Sequence, residues 1–374
     1  MNDNERLRAI ADKLVSLGNV AHEYFAGGEG ADSKTPAVVD RTKAFVEDSE
    51  DWFAFINLMD AHLPYHPPDE FAEEFAPGVD STTVCQNSKE FNSGARDISE
   101  QEWADIRGLY DAEIAHIDAQ LTRLFDWLKA EGEWEDTTVI VAADHGELHG
   151  EHDLYGHEFC LYDPLVNVPL VVKHPELDAE RRTDTVELVD LYHTVLDALD
   201  VPGGDPAQPG ETAVSRDPTR SLLSPDYRAF DAATDPDPGQ AAAPAGDYGF
   251  VEYSRPVVEL KQLEEKASAA GIDLPEDSRF YSRMRAARRP DAKYVRIDRI
   301  EDEAYRLDSD PNETTTLAAG DDDAIAETER VLADFESNVG GAWTGAADAD
   351  VTDDAVADMD DEAQERLRDL GYLE

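Results

Sequence analysis

The sequence predicts an α/β fold in which a mostly parallel sheet is covered by helices, followed by a small C-terminal antiparallel sheet subdomain. Three short apolar runs, over 52–59, 137–143 and 168–172, are typical of buried strands. Amphipathic helical patterns separate these runs, and strands that alternate with helices favour a parallel sheet with both faces covered. After residue 248 the pattern changes to the period-2 alternation of an antiparallel sheet.

The N-terminal part of the chain is predicted to be helical. One helix is expected over 4–17 and a second over 35–46, with Pro36 in its first turn. Residues 26–34 form a glycine-rich break between them. The first apolar strand follows and stops at Asp60, where a loop rich in Pro and His begins.

The middle of the chain contains the longest helical pattern. Apolar side chains recur at helical spacing from 100 to 128, which predicts a long amphipathic helix. The strand over 137–143 follows it and leads directly into the sequence Asp-His-Gly-Glu at 144–147. The third strand, over 168–172, is followed by a helix expected over 185–199.

The C-terminal third begins with residues 200–247, which are rich in Pro, Gly, Ala and Asp and indicate an exposed connection. A helix near 323–338 and a last helix that ends at Leu370 follow the small sheet. The strands expected in that sheet cover 249–253, 280–284, 293–298 and 304–308.

These elements predict three structural parts. Residues 1–247 form the α/β domain, residues 248–318 the small antiparallel sheet subdomain, and residues 319–374 an acidic helical tail.

The composition is strongly acidic, with a formal net charge of -53 and only nine lysines among the 32 basic residues. Acid-rich, lysine-poor surfaces suit molar salt, where the Debye length falls to about 3 Å and repulsion between surface charges is screened. The charge is therefore interpreted as a halophilic adaptation. It argues against nucleic acid or an anionic membrane as a partner.

Two cysteines, Cys85 and Cys160, cannot form a disulfide framework and are expected to be buried and inert. The N-terminal sequence MNDNERLRAI has no apolar signal core, and no apolar run approaches the length of a membrane span. The sequence therefore predicts a cytoplasmic protein.

The strongest chemical signal lies where the second strand ends. Asp144 and His145 are adjacent there, and a carboxylate oxygen and an imidazole nitrogen can bind one divalent cation. By itself Asp-His-Gly is more often an ordinary turn. The nearby histidines His149, His152 and His157 favour a metal or oxyanion site. Sites of this kind form beyond the carboxyl ends of strands in α/β sheets.

The loop after the first strand offers a second set of candidates. His62 could hydrogen-bond a tetrahedral oxyanion or protonate a leaving group, although a histidine beside Pro and Tyr is more often structural. Asp60 and Asp153 are weaker candidates that we interpret as solvated carboxylates. The sequence contains no G-x-S-x-G elbow and no Walker A motif, so an α/β-hydrolase or a nucleotide-dependent enzyme is not favoured.

Several collinear segments resemble the sulfatase family of the alkaline phosphatase superfamily, in a haloarchaeal-type version. They are the segments 53–65, 109–118, 136–147, 150–157, 168–172, 189–196, 305–313 and 366–372. The resemblance implies an alkaline phosphatase-like fold. It also implies that Asp144 and His145 bind the metal, that His62 contacts substrate, and that His157 takes a position where a substrate-contacting lysine is frequent.

The resemblance implies a metal-dependent hydrolase of sulfate or phosphate esters. Calcium, manganese and zinc are not distinguished by an aspartate and a histidine. The family's nucleophile lies in C-x-P-x-R or S-x-P-x-R, which neither Cys85 nor Cys160 matches. The expectation is therefore that the nucleophile-bearing segment is missing from this sequence. Three explanations stay open: a truncated sequence, a split enzyme whose nucleophile comes from a partner chain, and a non-catalytic binding or regulatory paralogue.

Overall fold

A computed structural model describes four stretches of the chain, and the helices predicted over 4–17 and before Leu370 lie outside them. The described residues are 34–201, 217–225, 227 and 248–340.

The contacts divide the chain into two compact units. Among the described residues, the first unit comprises 34–135 and 149–156. The second unit comprises 136–148 and the described residues from 157 onward. The three predicted parts are continuous ranges of the sequence, whereas each unit combines separate stretches of the chain. The division into three parts therefore stays a prediction.

The first unit is helical, and its two longest helices confirm the predicted ones. The four helices are α1 (Thr35–Glu47), α2 (Asp69–Phe75), α3 (Ser88–Asn92) and α4 (Glu100–Glu131). Helix α4 begins after Ser99, whose side chain caps it by accepting the Glu102 N–H at 3.2 Å, and it is followed by Gly132, which takes the left-handed conformation. The sequence pattern did not predict the short helices α2 and α3.

Helix α4 organises the core of the first unit. Its N-terminal half packs Trp103, Ile106 and Leu109 against the buried rings of Tyr65 and Tyr155. Its C-terminal half packs against α1 through a second apolar cluster. No helix in the described stretches is long and apolar enough to cross a membrane.

The predicted strand over 52–59 is not a strand in the structure. No described residue pairs with it, and its side chains alternate between partly buried and exposed positions. Trp52 and Ile56 pack on the cluster between α1 and α4, whereas the Phe55 side chain is 86% exposed. The prediction of a buried strand is wrong here because one face contacts the helices and the opposite face meets no described residue.

The second unit contains the other two predicted strands. They are β1 (Val139–Ala142) and β4 (Leu170–Lys173), and they pair antiparallel from Val139 opposite Lys173 to Ala142 opposite Leu170. The predicted parallel pairing is therefore wrong for these strands. Apolar runs indicate burial but not direction, which depends on how the chain returns between the strands. A parallel sheet elsewhere in the chain stays a prediction.

Two short strands and two helices complete the described part of the chain up to residue 201. The short strands β2 (Leu148–His149) and β3 (Tyr155–Gly156) flank a tight turn. In the second unit, α5 (Asp163–Val166) precedes β4, and α6 (Asp190–Ala198) covers the second half of the helix expected over 185–199.

The small antiparallel sheet is confirmed, and its four strands pair in sequence order. The strand predicted over 280–284 is wrong in position, because 279–281 form a helical turn and the strand runs over Met284–Arg289. One face of the sheet is covered by the helix Asp323–Phe335, which contributes Ile325, Leu332 and Phe335 to a shared core. A helix between the first two strands was not predicted. These elements are β5 (Gly249–Tyr253), α7 (Val257–Ala270), β6 (Met284–Arg289), β7 (Ala292–Ile297), β8 (Glu303–Tyr305) and α8 (Asp323–Phe335).

A buried lysine connects α5 to this sheet. Lys293 of β7 is 0% exposed, and its Nζ lies 2.9 Å from Asp163 Oδ1 and 2.7 Å from Glu313 Oε1. Arg288 of β6 adds two hydrogen bonds to the Asp163 carboxylate. Burial alone would raise the pKa of Asp163, but the hydrogen bonds from Arg288 and Lys293 outweigh it and lower the pKa. Helix α5 is therefore fixed by buried charges.

Replacing the lysine tests this connection. Lys293→Met keeps much of the side-chain volume but leaves the buried Glu313 carboxylate without its cation, which costs about 3–5 kcal/mol for a buried ion pair that loses one partner. Chemical denaturation should show a fall of that order in the free energy of unfolding. The same change at Lys261, which is exposed on α7, should cost under about 0.5 kcal/mol. Equal effects at the two positions would contradict this role.

Candidate functional site

The Asp144–His145 pair lies in a turn that follows β1 in the second unit. The turn is anchored by the Gly146 N–H, which donates to the Leu165 carbonyl of α5 at 2.7 Å. A Cβ on Gly146 would lie 2.0 Å from the Pro164 carbonyl oxygen, so only glycine fits this close approach. The backbone contact with α5 therefore fixes where Asp144 and His145 stand.

The hydrogen bonds of His145 determine which ring nitrogen can bind a metal. Its Nδ1 lies 2.9 Å from the Gly146 carbonyl oxygen. A carbonyl only accepts, so Nδ1 carries the proton and Nε2 presents a lone pair. A backbone carbonyl that orients the imidazole in this way is the usual support for a metal-binding histidine.

The Asp144 carboxylate is close enough to share an ion with that nitrogen. Its Oδ1 lies 3.9 Å from His145 Nε2, and two metal–ligand bonds of about 2.1 Å can span this separation. The Asp144 side chain is 85% exposed, so it is open to a cation from solvent. The pair fits two ligands of a divalent metal site, and further ligands are needed to complete the coordination.

His157 joins this pair in the second unit. Its ring stacks on the His145 ring with centroids 4.4 Å apart. Its Nδ1 lies 3.0 Å from Oε1 of the buried Glu147, and Nε2 lies 3.8 Å from Glu158 Oε1. Glu147 therefore orients the imidazole beside the predicted metal ligands. The sequence had singled out His157 but not the carboxylate that holds it.

His62 belongs to the first unit. It is partly buried in the loop that follows the 52–59 segment, and its Nδ1 donates to the Leu63 carbonyl at 2.6 Å. Its predicted role at the substrate stays a prediction.

Two other histidines of the sequence cluster have local structural settings. His149 is buried in the first unit, where Nε2 lies 3.1 Å from the Tyr65 hydroxyl and the backbone N–H donates to Glu151 Oε2. His152 takes a left-handed backbone conformation in the turn after Gly150. These described settings are local, and a role of either histidine at a metal or oxyanion site stays a prediction.

The first unit contains a group that sequence reasoning missed. Asp60, Glu113 and His116 each offer one ligand atom, and these atoms lie within 4.8 Å of one another. The Asp60 side chain is largely buried, so its interpretation as a solvated carboxylate is wrong. The available signal was the Glu-x-x-His spacing on a predicted helix, which places both side chains on one face.

Burial shifts the ionisation of two groups in this region. It raises the pKa of Glu113 to about 7, against the hydrogen bond that Glu113 accepts from the His66 N–H, and the negative charge of Asp60 raises it further. Burial also lowers the pKa of the His66 ring. Burial thus disfavours the charged form of both side chains.

The cysteines are buried as predicted. Burial raises the pKa of the Cys85 thiol, and it raises the pKa of Cys160 to about 12. Both thiols therefore stay protonated near neutral pH, which is unsuitable for a nucleophile.

A family model described as Sulfatase matches residues 12–201, just over half of the chain. The chain belongs to the sulfatase family. The predicted family is thereby confirmed, while the haloarchaeal type stays a prediction.

Curated relatives match a little under a third of the chain. Arylsulfatase K of Bos taurus is 35% identical over 106 residues, which are 28% of this chain and 19% of that protein. The multifunctional alkaline phosphatase superfamily protein PehA of Trinickia caryophylli is 33% identical over 112 residues, which are 29% of this chain and 21% of that protein. The chain thus spans about a fifth of the length of the curated relatives it matches.

A solved structure resembles a larger share of the chain. The phosphonate monoester hydrolase of Agrobacterium radiobacter superposes with a TM-score of 0.56 and 20% identity, covering 82% of this chain and 61% of that one. This likeness shows an alkaline phosphatase-like fold, whereas the mostly parallel sheet stays a prediction.

The close approach at Gly146 gives a testable prediction. Gly146→Ala forces the turn away from the Pro164 carbonyl, and overpacking of this kind costs at least about 1–3 kcal/mol of folding free energy. Denaturant titration of the purified variant measures the loss. Gly320→Ala is the matched control, because a Cβ there meets nothing within 4 Å. A Gly146→Ala protein as stable as that control would show that the turn is not constrained.

Proposed function

We propose that the protein is a metal-dependent hydrolase of sulfate or phosphate esters, phosphonate esters included. The observation that carries this proposal is the meeting of three side chains beyond β1. Asp144 and His145 present an oxygen and a nitrogen that can share one cation, and His157 stacks beside them under the control of Glu147. Membership of the sulfatase family supports the same class of reaction.

Asp144 and His145 hold the cation, which when bound supplies Lewis-acid polarisation of a non-bridging oxygen of the ester. His157 contacts the same oxygens, and the Glu147 carboxylate keeps its ring in one orientation. His62 contacts substrate or protonates the leaving group. Calcium, manganese and zinc all suit the two ligands, so the metal's identity is left to experiment.

Turnover also needs a nucleophile, and we propose that it comes from polypeptide outside the described residues, on a partner chain or elsewhere in the complete protein. The high thiol pKa values argue against Cys85 and Cys160. The 52–59 segment supports the proposal, because no described strand pairs with its backbone and its Phe53 and Phe55 side chains are exposed among the described residues. Co-purification with a chain carrying C-x-P-x-R or S-x-P-x-R would favour a partner.

We place the protein in a cytoplasm with molar salt. The support is the net charge of -53, whose repulsion is screened when the Debye length is about 3 Å.

The metal ligands are tested by one substitution in the complete, active enzyme. Asp144→Ala removes the exposed carboxylate and should abolish metal-dependent hydrolysis of 4-nitrophenyl sulfate and of the matching phosphate and phosphonate monoesters. The change is not expected to affect folding, since the side chain is exposed. Release of nitrophenolate with and without added Mn²⁺, Ca²⁺ or Zn²⁺ measures the effect.

The matched control is Asp136→Ala, which removes another exposed carboxylate just before β1. It should leave turnover and its metal dependence unchanged. Wild-type rates in the Asp144→Ala enzyme would sink the proposed ligand assignment.

A further inference from the structure

The first unit holds a second group of metal-binding side chains, distinct in sequence from Asp144 and His145. Glu113 and His116 stand one helical turn apart on the same face of α4. Asp60 comes from the turn that ends the 52–59 segment. Two different parts of the chain therefore bring an oxygen–oxygen–nitrogen set to one place.

The geometry of these three residues suits a single ion. Asp60 Oδ1 lies 3.7 Å from His116 Nδ1, and one ligand atom from each residue lies within 4.8 Å of the others. Metal–ligand bonds of about 2.1 Å span up to about 4.2 Å, so the widest pair would close by about half an ångström. Glu113 Oε1 accepts the His66 N–H, and Asp60 Oδ2 accepts the Thr35 hydroxyl, so both carboxylates are held in place.

The state of His116 points to a ligand. The residue is 2% exposed, and its Nδ1 has no hydrogen-bond partner in the part of the chain that the structure describes. Its ring is held by parallel stacking on Phe71, with centroids 5.3 Å apart and planes 7° apart. A buried polar atom without a partner is costly, and such atoms in native proteins call for an explanation such as a bound ion. This nitrogen faces the Asp60 carboxylate.

We propose that Asp60, Glu113 and His116 bind one divalent metal ion of the Zn²⁺ or Mn²⁺ type. One imidazole and two carboxylates are a ligand set that these metals accept, with a remaining position for water. The ion fastens the 60–68 loop to α4. Because His62 lies two residues after Asp60, the ion also positions the loop that carries His62.

Metal counting in the full-length chain tests the site separately from Asp144 and His145. The Asp144→Ala/His145→Ala double variant removes that other pair. This variant is dialysed against micromolar Zn²⁺ and, in a separate experiment, against micromolar Mn²⁺. Excess Mg²⁺ is present in both to occupy exposed acidic groups, and the bound metal is measured by mass spectrometry. We expect one Zn²⁺ or Mn²⁺ per chain.

Ligand substitutions in the same background identify the residues. His116→Gln or Glu113→Gln should weaken binding by at least about 100-fold, beyond the 10–100-fold typical of outer-shell partners. Asp118→Asn, at an exposed position of the same helix, should leave it unchanged. Zn²⁺ should also slow amide hydrogen exchange over 60–68 in the background variant and not in the His116→Gln variant.

The proposal is overturned if the background variant binds neither metal, or if His116→Gln and Glu113→Gln bind as tightly as Asp118→Asn. Circular dichroism checks that each variant folds. If His116→Gln does not fold, Glu113→Gln decides the matter, because a glutamine still accepts the His66 N–H. Failure here leaves the Asp144–His145 proposal untouched, since that pair is absent from the background.

Discussion

The close approach of the Gly146 backbone to α5 is the constraint on which the candidate site depends. The Gly146 N–H donates to Leu165, and no side chain fits between the turn and Pro164. Helix α5 is itself fixed through Asp163 by the buried Lys293. A chain of contacts thus runs from the antiparallel sheet to the turn after β1. It fixes the backbone of the turn that carries Asp144 and His145.

The side chains of the candidate site differ in how firmly each is held in place. The His145 tautomer is set by a carbonyl of its own turn, and His157 is set by the buried Glu147. Asp144 remains exposed and open to solvent. The imidazoles are therefore preorganised, whereas the carboxylate can adjust to an incoming ion, an arrangement suited to binding charge at the edge of a sheet.

A structural feature could be predicted from the sequence when the pattern that determines it lies within a single helix or strand. Helix α4 and the presence of the antiparallel sheet were predicted because their periodicity lies within the elements themselves, although the strand expected over 280–284 runs over Met284–Arg289. The predictions of parallel strands for β1 and β4 and of a buried strand over 52–59 were wrong. Strand pairing depends on residues that are distant in sequence, so the local pattern does not determine it. Helix α7 was missed between two strands of the sheet.

The candidate site was predictable in part for the same reason. Asp144 and His145 are adjacent in sequence, so their meeting is local, and His157 was identified by a resemblance. The partnership of His157 with Glu147 and the meeting of Asp60 with His116 depend on tertiary folding. Neither carries a sequence signal strong enough to separate it from an ordinary solvated carboxylate.

Anomalous diffraction from crystals of the protein soaked in millimolar Mn²⁺ tests the central claim most directly. The account predicts a manganese peak within bonding distance, about 2.1–2.2 Å, of both Asp144 Oδ1 and His145 Nε2. The His145 Nδ1 should keep its hydrogen bond to the Gly146 carbonyl. Absence of a peak between these two atoms, or a peak on Nδ1 instead, would contradict the assignment of this strand end as the metal site.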